Sequence, residues 1–474
     1  MEKADLHRAL LAYEQRGICP MHMPGHKRQA LFADDLPWHL DISEIHGFDD
    51  LHSAEGILLD AQVRAASLWG SDSAYFLING STGGILAGIY AATRPGDRVL
   101  IARNCHKSVY HAIELFGLCP VYLEPPLLAE AGICGSISPQ AVAEAVAQTP
   151  DIRLAVVTSP TYEGVISDIS AVADILHEKL IPLLVDEAHG AHFGLSPRFP
   201  KSAVSQGADI VVQSLHKTLP SLTQTAIVHL RDGLIQRERL RHGLGMFQST
   251  SPSYPLMASI DGCIGLLREQ GADLFAAWAD RLSAFRQSVS PLQHLSVLSG
   301  DSNLRCMYAH DPGKIPILCG GTSITGPGLH ATLREDYGIE LEMALPGYGL
   351  AMTSLANTDE HFNRLAEALR QLDRTLHPAP VQPINPLPPM GEQIMPPGEA
   401  LCASVRQVAI DNSVGQIART YLWAYPPGIP LVTPGQRITA ELVDCLTGLS
   451  DRQVAVKSTA PYRAGRIAVV GEEK

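Results

Sequence analysis

The feature that most constrains the fold of this chain is an alternation of short apolar runs with longer amphipathic segments between residues 75 and 230. Runs of about four to eight residues rich in Val, Ile and Leu are typical of buried strands. Their separation by helical patterns predicts an α/β fold, with a mostly parallel central sheet covered by helices on both faces. The runs are RVLIARN, CPVYLEPP, RLAVVTSPT, IPLLVDEAH, DIVVQSLHK and TAIVHL.

Two of the intervening segments carry the signals that start a helix. Ser138 and Asp168 each precede apolar residues spaced three and four apart, in SPQAVAEAVAQ and DISAVADILHEKL. Ser and Asp side chains accept hydrogen bonds from the first free N–H groups of a helix. We therefore expect a helix to begin directly after each of these residues.

Three of the predicted strands end in clusters of polar residues. A lysine just past a strand is usually a solvated loop residue, so Lys217 alone would indicate little. Ligand sites of such sheets lie beyond the carboxyl ends of the strands, however, and the clusters are therefore expected to converge on one crevice. Their members are Thr158, Ser159, Thr161 and Tyr162; Asp186, Glu187 and His189; and Ser214, His216 and Lys217.

A turn of small residues, GSTGG at 80–84, leads into an apolar helical run. The backbone N–H groups at the start of a helix, together with the hydroxyls of Ser81 and Thr82, favour the binding of an anion such as phosphate. A capped helix whose glycines allow tight packing is the alternative, and this segment alone leaves both open.

Composition excludes several classes of protein. A net charge of −13 without any Lys/Arg-rich block argues against nucleic-acid binding, which requires a basic surface. The nine cysteines form no C-x-x-C pair, which favours a reducing compartment over a disulfide framework or zinc ribbon. No uncharged apolar run approaches the ~20 residues that span a bilayer, and the N-terminus lacks the apolar core of a signal peptide. We therefore expect a cytoplasmic protein.

The segment VDEAHGAH, residues 185–192, suggests two other functions. D-E-A-H is also found in helicases, but the G-x-x-x-x-G-K-[ST] loop that holds their nucleotide is missing here. A metal site formed by Asp186, His189 and His192 is the stronger alternative, because Asp and His are common zinc ligands. No H-E-x-x-H motif accompanies it.

An anion-binding turn, an aspartate at one strand end and a lysine at a later one form the set that pyridoxal phosphate requires. Its aldehyde reacts with a lysine amine, and its ring nitrogen needs a carboxylate to stay protonated. A flat ring over the cofactor face would exclude water. His106 follows a predicted strand and is the candidate, although a surface histidine at a helix start is the alternative.

Eight motifs along the chain extend this interpretation, and together they resemble the pyridoxal-phosphate-dependent ornithine/lysine/arginine decarboxylases of the aspartate-aminotransferase fold, fold type I. The resemblance is closest to the short, arginine-specific biosynthetic members, which lack an N-terminal receiver-like domain. The motifs are MPGHKR (23–28), DDLH (49–52), GSTGG (80–84), RNCHKS (103–108), PTYEG (160–164), VDEAHGAH (185–192), SLHKTLPSLTQTA (214–226) and YPPGIP (425–430). Short-form relatives often carry Gly-Gly after the lysine, so TLPSLTQTA implies a stiffer loop.

The resemblance implies a role for each matching residue. Lys217 would bind the cofactor covalently, Asp186 would pair with its ring nitrogen, and His106 would stack on the ring. His189 would lie near the ring oxygen and the reacting carbons, and it or Lys217 would supply the final proton. The residues implied around the phosphate are Ser81, Thr82, Gly83, Ser214 and His216, with Thr250 reaching the phosphate of a partner subunit.

The implied reaction is decarboxylation of a basic L-amino acid in polyamine biosynthesis, without a metal. Arginine to agmatine is favoured slightly over lysine to cadaverine and ornithine to putrescine. The distal cation of such a substrate needs a carboxylate, and Glu340 and Glu342 lie on a predicted edge strand. The resemblance favours Glu342, with a surface glutamate as the alternative. Active sites in this family lie between subunits, which implies at least a homodimer.

Two rival functions remain. An aminotransferase or another amino-acid lyase has the same fold, and an aminotransferase commonly clamps the substrate carboxylate with an arginine. A binding protein with a decayed site is disfavoured, because Lys217, Asp186 and His106 are all present.

Proline density marks the clearest boundary in the chain. Residues 378–398, PAPVQPINPLPPMGEQIMPPG, cannot form a regular helix and predict an extended linker. The predicted organisation is an N-terminal segment (1–50), a large cofactor-binding domain (51–250), a small domain (251–377), this linker (378–398) and a C-terminal module (399–474).

Overall fold

The computed structural model describes residues 5–17, 19–30, 32–33, 35–128, 132–299, 306–380, 388–424, 429–451, 456–459 and 465–471. The helices are α1 Leu6–Gln15, α2 Ile57–Trp69, α3 Gly80–Ala92, α4 Lys107–Leu115, α5 Pro139–Gln148, α6 Ile169–His177, α7 Leu215–Thr218, α8 Arg237–Phe247, α9 Tyr254–Val289, α10 Gly326–Tyr337, α11 Asp359–Asp373, α12 Pro397–Cys402 and α13 Ala440–Asp451.

The strands are short, and most belong to small sheets. They are β1 Ser73–Leu77, β2 Arg98–Ala102, β3 Cys119–Leu123, β4 Leu127–Leu128, β5 Ile133–Cys134, β6 Ile152–Thr158, β7 Val165–Ile166, β8 Leu183–Asp186, β9 Ile210–Ser214, β10 Ala226–Leu230, β11 Ser296–Val297, β12 Ala309–His310, β13 Lys314–Leu318, β14 Met343–Leu345, β15 Tyr348–Met352, β16 Val405–Ala409, β17 Leu422–Ala424, β18 Ile429–Val432, β19 Val456–Ser458 and β20 Arg466–Val470.

The described residues group into two compact units, each assembled from separate stretches of the chain. The first unit lies within Met1–Ala92, Pro182–Leu282 and Thr353–Asn357. The second lies within Thr93–Ile181, Ser283–Met352 and Thr358–Lys474. The contiguous domain boundaries expected from the sequence stay a prediction, and part of the expected linker, 381–387, lies outside the described residues.

The first unit contains two of the three strands that end in predicted polar clusters, β8 and β9, whereas β6 belongs to the second unit. Strands β8 and β9 are parallel, and β9, β10 and β1 follow as antiparallel neighbours. Strands β8, β9 and β10 are buried throughout, as their continuous apolar runs predict. The predicted runs are therefore confirmed as strands, but TAIVHL forms an antiparallel strand, so the sheet is mixed.

Helix α3 packs closely on this sheet because it carries glycine where other residues have a Cβ. A Cβ on Gly84 would lie 2.6 Å from Leu77 Cδ1 and 2.9 Å from Val212 Cγ1. A Cβ on Gly88 would lie 2.7 Å from Leu184 Cδ1. The glycines therefore bring the start of α3 beside the carboxyl end of β9, where Ser214 and the lysine motif lie.

The second unit contains the parallel strands β6, β2 and β3 and the antiparallel sheet β11-β13-β15-β14. Its helices α5 and α6 begin where the sequence predicted. Ser138 accepts a hydrogen bond from Ala141 N at 3.0 Å, and Asp168 accepts one from Ala171 N at 3.1 Å. Both predicted N-terminal caps are confirmed.

The C-terminal end of the second unit has a hydrophobic core of its own. Strands β17, β18 and β20 and helix α13 contribute most of its buried residues, so this stretch buries its apolar side chains largely against itself. The buried core residues are Ile410, Ala418, Leu422, Leu431, Val432, Ile438, Leu442, Val443, Cys445, Leu446, Ile467 and Val469.

The helices give no indication of a membrane span. Within the part of the chain that the structure describes, no helix combines the length and the apolar character needed to cross a bilayer.

Candidate active site

Lys217 lies on a one-turn helix that continues directly from a buried strand. Strand β9 ends at Ser214, and α7 follows with Leu215 fully buried and Lys217 partly exposed. The Lys217 amine lies 2.9 Å from Nε2 of His189, which is 6% exposed. The structure thus brings two predicted catalytic residues into direct contact.

Asp186 is the last residue of β8 and is 4% exposed. Its Oδ1 accepts a hydrogen bond from Ala188 N at 3.1 Å, which is the one hydrogen bond to this carboxylate within the described residues. A buried carboxylate with a single neutral donor favours a further cationic or N–H partner. The protonated ring nitrogen of a cofactor meets that requirement.

The residues of the predicted anion site come together where α3 meets β9. Ser81 Oγ and Ser214 Oγ are 2.6 Å apart, and Gly80 starts the helix with a φ of +68°, a conformation that favours glycine. Thr82 is exposed and Gly83 is buried in the first turn. The two hydroxyls and the free N–H groups of the helix form a donor set for a phosphate.

His216 follows Ser214 by two residues, and one of its ring nitrogens has a defined partner. Its Nδ1 donates to Thr225 O at 2.9 Å. Burial, and the nearby positive charge of Lys217, lower the pKa of His216, although the hydrogen bond to Thr225 opposes this. The neutral ring is therefore favoured, and the hydroxyls and helix N–H groups are the principal donors for an anion.

Thr218 is a residue that sequence reasoning missed. It is 1% exposed, and its hydroxyl has no hydrogen-bond partner within the described residues. A buried hydroxyl without a partner is costly, so a polar ligand that reached it would be stabilised. Thr218 directly follows Lys217 in the lysine motif, but its burial was not evident from the pattern. The donor set of this unit therefore fits a phosphorylated, ring-bearing cofactor such as pyridoxal phosphate.

Glu187, grouped with the crevice residues in the sequence, belongs to a separate buried network. It accepts hydrogen bonds from Ala203 N at 2.7 Å, Ser202 Oγ at 2.7 Å and Gln213 Nε2 at 2.6 Å. Gln213 Oε1 in turn accepts from His229 Nε2 at 3.1 Å. Burial raises the pKa of Glu187 to about 7. Its hydrogen-bond donors therefore lie outside the predicted polar clusters, and its place in the crevice stays a prediction.

The alternative metal site receives no support from the geometry. His192 is fully buried and packs among Phe193, Phe199 and Trp278, with ring centroids 4.7, 5.5 and 5.1 Å away. Within the described ranges, no group of three His, Cys, Asp or Glu side chains could hold a metal ion.

His106 and Glu342 belong to the second unit, whereas the other predicted site residues belong to the first. His106 caps helix α4 and has an exposed imidazole, whose Nδ1 accepts from Ser108 N at 3.3 Å. This contact leaves the neutral ring with its proton on Nε2.

Glu342 lies one residue before the edge strand β14 and accepts a hydrogen bond from the Tyr162 hydroxyl. Tyr162 is a second residue that was missed in this role, although PTYEG carried it. Glu340 instead pairs with His330 Nε2 at 2.7 Å. The two acids that the sequence left open therefore have different partners.

Thr250 is exposed in the loop between α8 and α9. Its side chain forms no hydrogen bond in the part of the chain that the structure describes. Its proposed contact with a partner subunit stays a prediction, and residues 425–428 of the YPPGIP motif lie outside the described residues.

Comparison with known proteins gives matches along nearly the whole chain. The family described as Orn/Lys/Arg decarboxylase matches with its major domain at residues 4–302 and its C-terminal domain at residues 385–455. An arginine decarboxylase of Bacillus subtilis is 30% identical over 483 residues, covering 100% of this chain and 99% of the relative. An arginine decarboxylase of Halalkalibacterium halodurans is 32% identical, covering 92% of this chain and 91% of the relative.

Solved structures give the fold. The lysine decarboxylase LdcF of Francisella novicida superposes with a TM-score of 0.83 at 22% identity, over 98% of this chain and 81% of that chain. The constitutive lysine decarboxylase of Escherichia coli gives 0.82 at 21% identity, over 98% and 82%. An alanine–glyoxylate aminotransferase of Nostoc gives 0.53 at 15% identity, over 66% and 86%. The predicted fold type I architecture is confirmed.

Proposed function

The chain belongs to the pyridoxal-phosphate-dependent ornithine/lysine/arginine decarboxylases, and from this premise we propose that it converts L-arginine to agmatine and carbon dioxide, in preference to lysine or ornithine. The observation that carries the proposal is the 2.9 Å contact between the Lys217 amine and His189, beside a buried acid at the end of the neighbouring strand. The preference for arginine is supported by relatives named arginine decarboxylase at 30–32% identity.

Each residue would act on a different part of the cofactor or substrate. Pyridoxal phosphate, when bound, supplies an aldehyde that links to amino groups and a protonated ring that takes up the electrons left when carbon dioxide departs. Lys217 would hold the cofactor through Nζ, and Asp186 would keep a proton on the ring nitrogen. Ser81, Ser214 and the start of α3 would hold the phosphate, and Thr82, Gly83 and His216 would line the same site.

Proton transfer falls to the Lys217–His189 pair. The Cα that loses its carboxylate must gain a proton, and the pair lies at hydrogen-bond distance, so one member can donate while the other restores the proton. His106 would cover the ring and exclude water. No arginine is required to clamp the α-carboxylate, since a clamp would oppose its departure.

Incubation of the cofactor-loaded protein with equal amounts of arginine, lysine and ornithine tests this proposal. We expect agmatine to accumulate first, as identified by mass spectrometry. Cadaverine or putrescine as the main product would overturn the arginine preference. A keto acid without any amine would overturn decarboxylation in favour of an aminotransferase.

Glu342 is proposed to bind the distal cation of the substrate. It is exposed, so its carboxylate is accessible, and Tyr162 donates to one of its oxygens, which fixes the direction of the group. A carboxylate held in this way suits the planar fork of a guanidinium.

Glu342→Gln is expected to raise the KM for arginine about 10- to 100-fold, because a hydrogen bond between charged groups is replaced by a neutral one. The visible absorption of the bound cofactor should be unchanged. Glu340→Gln is the matched control, since that acid pairs with His330. Steady-state kinetics would contradict the assignment if both variants raised KM equally.

We further propose a cytoplasmic homodimer as the smallest unit, with Thr250 contributing to the partner's phosphate site. The dimer is supported by exposed Leu59 and Val63 on α2, which line an open groove of about 580 Å³. Sedimentation velocity would measure its mass. None of the nine cysteines, which all lie among the described residues, forms a disulfide, as expected for the proposed reducing compartment.

A further inference from the structure

Arg103 is a fully buried cation at the end of β2, with a side chain that is 1% exposed. Its Nη1 donates to Pro388 O at 2.6 Å, and its Nε and Nη2 donate to Pro430 O at 3.3 and 3.2 Å. Glu124, which is half exposed, accepts from Nη1 at 3.1 Å. Pro388 lies in the proline-rich stretch 378–398 and Pro430 in the C-terminal module 399–474. The Arg103 side chain thus binds both the proline-rich stretch and the C-terminal module.

A second set of contacts joins the same parts of the chain. The Tyr110 hydroxyl donates to Arg103 O at 2.7 Å, and the Tyr421 hydroxyl of the C-terminal module donates to Tyr110 O at 3.4 Å. The two rings pack edge to face with centroids 6.3 Å apart. Residues 103–115 are therefore held to the C-terminal module both at their start and in their middle.

Helix packing provides a third point of attachment. Helix α12 approaches α4 so closely that a Cβ on Gly398 would lie 3.0 Å from Glu114 O. Only a residue with little or no side chain allows this approach without a shift. The segment that begins at Arg103 and continues through α4 is thus fixed at its start, middle and end.

The segment so held is the one that presents His106. Two residues separate Arg103 from His106, and Cys105 closes a tight turn through Cys105 N to Ala102 O at 2.9 Å. Cys105 is itself 2% exposed. A displacement of Arg103 would therefore be transmitted to the imidazole, because the intervening turn is short and packed.

The burial of Arg103 strengthens the coupling between the C-terminal module and residues 103–115. A guanidinium has five N–H donors and never loses its charge, so removing it from water requires acceptors for its N–H groups. Here the main-chain carbonyls come from residues far along the chain. If the C-terminal module moved, the buried cation would lose the Pro430 carbonyl that accepts from its Nε and Nη2, and the positions of module and loop are therefore linked.

We propose that Arg103 is a positioning residue, through which the C-terminal module fixes the loop that presents His106. This rests on the proposed function, in which His106 covers the ring. The module would then act on the chemistry through Arg103, by setting how firmly His106 is held.

Arg103→Lys is the test, because lysine keeps the charge but cannot bridge two carbonyl groups in the same fork. Arg419→Lys is the matched control. Arg419 also binds two main-chain carbonyls, Ala403 O and Leu401 O, both at 2.6 Å, but these lie inside the C-terminal module. Both variants replace a guanidinium that binds two main-chain carbonyls, although Arg103 also pairs with Glu124, and only Arg103→Lys removes hydrogen bonds made directly by residues 103–115.

Three readouts separate positioning from simple destabilisation. We expect Arg103→Lys to speed hydrogen exchange in peptides covering 103–115 about tenfold and to weaken cofactor binding about tenfold, as expected for loss of a buried charged hydrogen bond. The visible circular dichroism of the bound cofactor should shift towards that of His106→Ala. Arg419→Lys should leave all three within about twofold of the parent.

Each result decides the proposal. Faster exchange with parent-like cofactor signals in Arg103→Lys, while His106→Ala changes them, would overturn the coupling. Parent-like signals in His106→Ala would overturn the role of His106 and the proposal with it, whereas the product assay would still report decarboxylation separately. Should Arg103→Lys fail to fold, Tyr421→Phe removes one hydrogen bond of the same set and should move the same signals in the same direction, or the proposal fails.

Discussion

Lys217→Ala is expected to lower amine production about 10⁴-fold or more, because the residue proposed to carry the cofactor covalently cannot be replaced by a methyl group. The helix α7 should survive, since alanine favours helix and Leu215 and Thr218 provide its buried contacts. Borohydride reduction followed by peptide mass spectrometry should label residue 217 in the parent and nothing in the variant.

Two further variants sharpen this test. Lys217→Arg keeps a positive charge near His189, so its inactivity would show that the amine, not the charge, is required. Lys201→Ala, at an exposed position of the same unit, should retain parent activity and labelling. Labelling of another lysine, or amine production by Lys217→Ala within tenfold of the parent, would contradict the assignment.

Much of this site could be predicted because the sequence indicates where buried strands end. The continuous apolar runs predicted β8 and β9, and their parallel pairing places Asp186 opposite Val212, two residues before Ser214. The motif that contains Lys217 follows β9 directly, so few assumptions were needed to predict that Lys217 lies near His189. The helix caps Ser138 and Asp168 were equally local and are confirmed.

Features that depend on partners distant in sequence could not be predicted. Glu187 sits beside Asp186 in the chain, yet Gln213 and Ser202 draw it into a buried network. Tyr162 and Glu342 are 180 residues apart, and the sequence around neither residue indicates their hydrogen bond. The apolar composition of β10 fits either strand direction, so its antiparallel pairing depends on the turn that precedes it.

Asp186→Asn is expected to reduce kcat about 10³-fold, a loss typical of removing one electrostatic group from an active site. The amide has the same shape and its oxygen can still accept from Ala188 N. It lacks the negative charge that keeps the cofactor ring protonated and able to take up electrons. Borohydride should still label Lys217, which would distinguish this variant from one that has lost the cofactor.

Glu187→Gln is the matched control for Asp186→Asn, because it removes the neighbouring buried charge without touching the proposed site. Its kcat should stay within about threefold of the parent. Its melting temperature relative to the parent should rise from pH 5 to pH 8, because burial raises the pKa of Glu187 from 4.5 to about 7. Such a carboxyl costs stability increasingly as pH rises through that interval. Equal losses of kcat in both variants would mean that the buried charge, rather than its contact with the cofactor ring, is what catalysis requires.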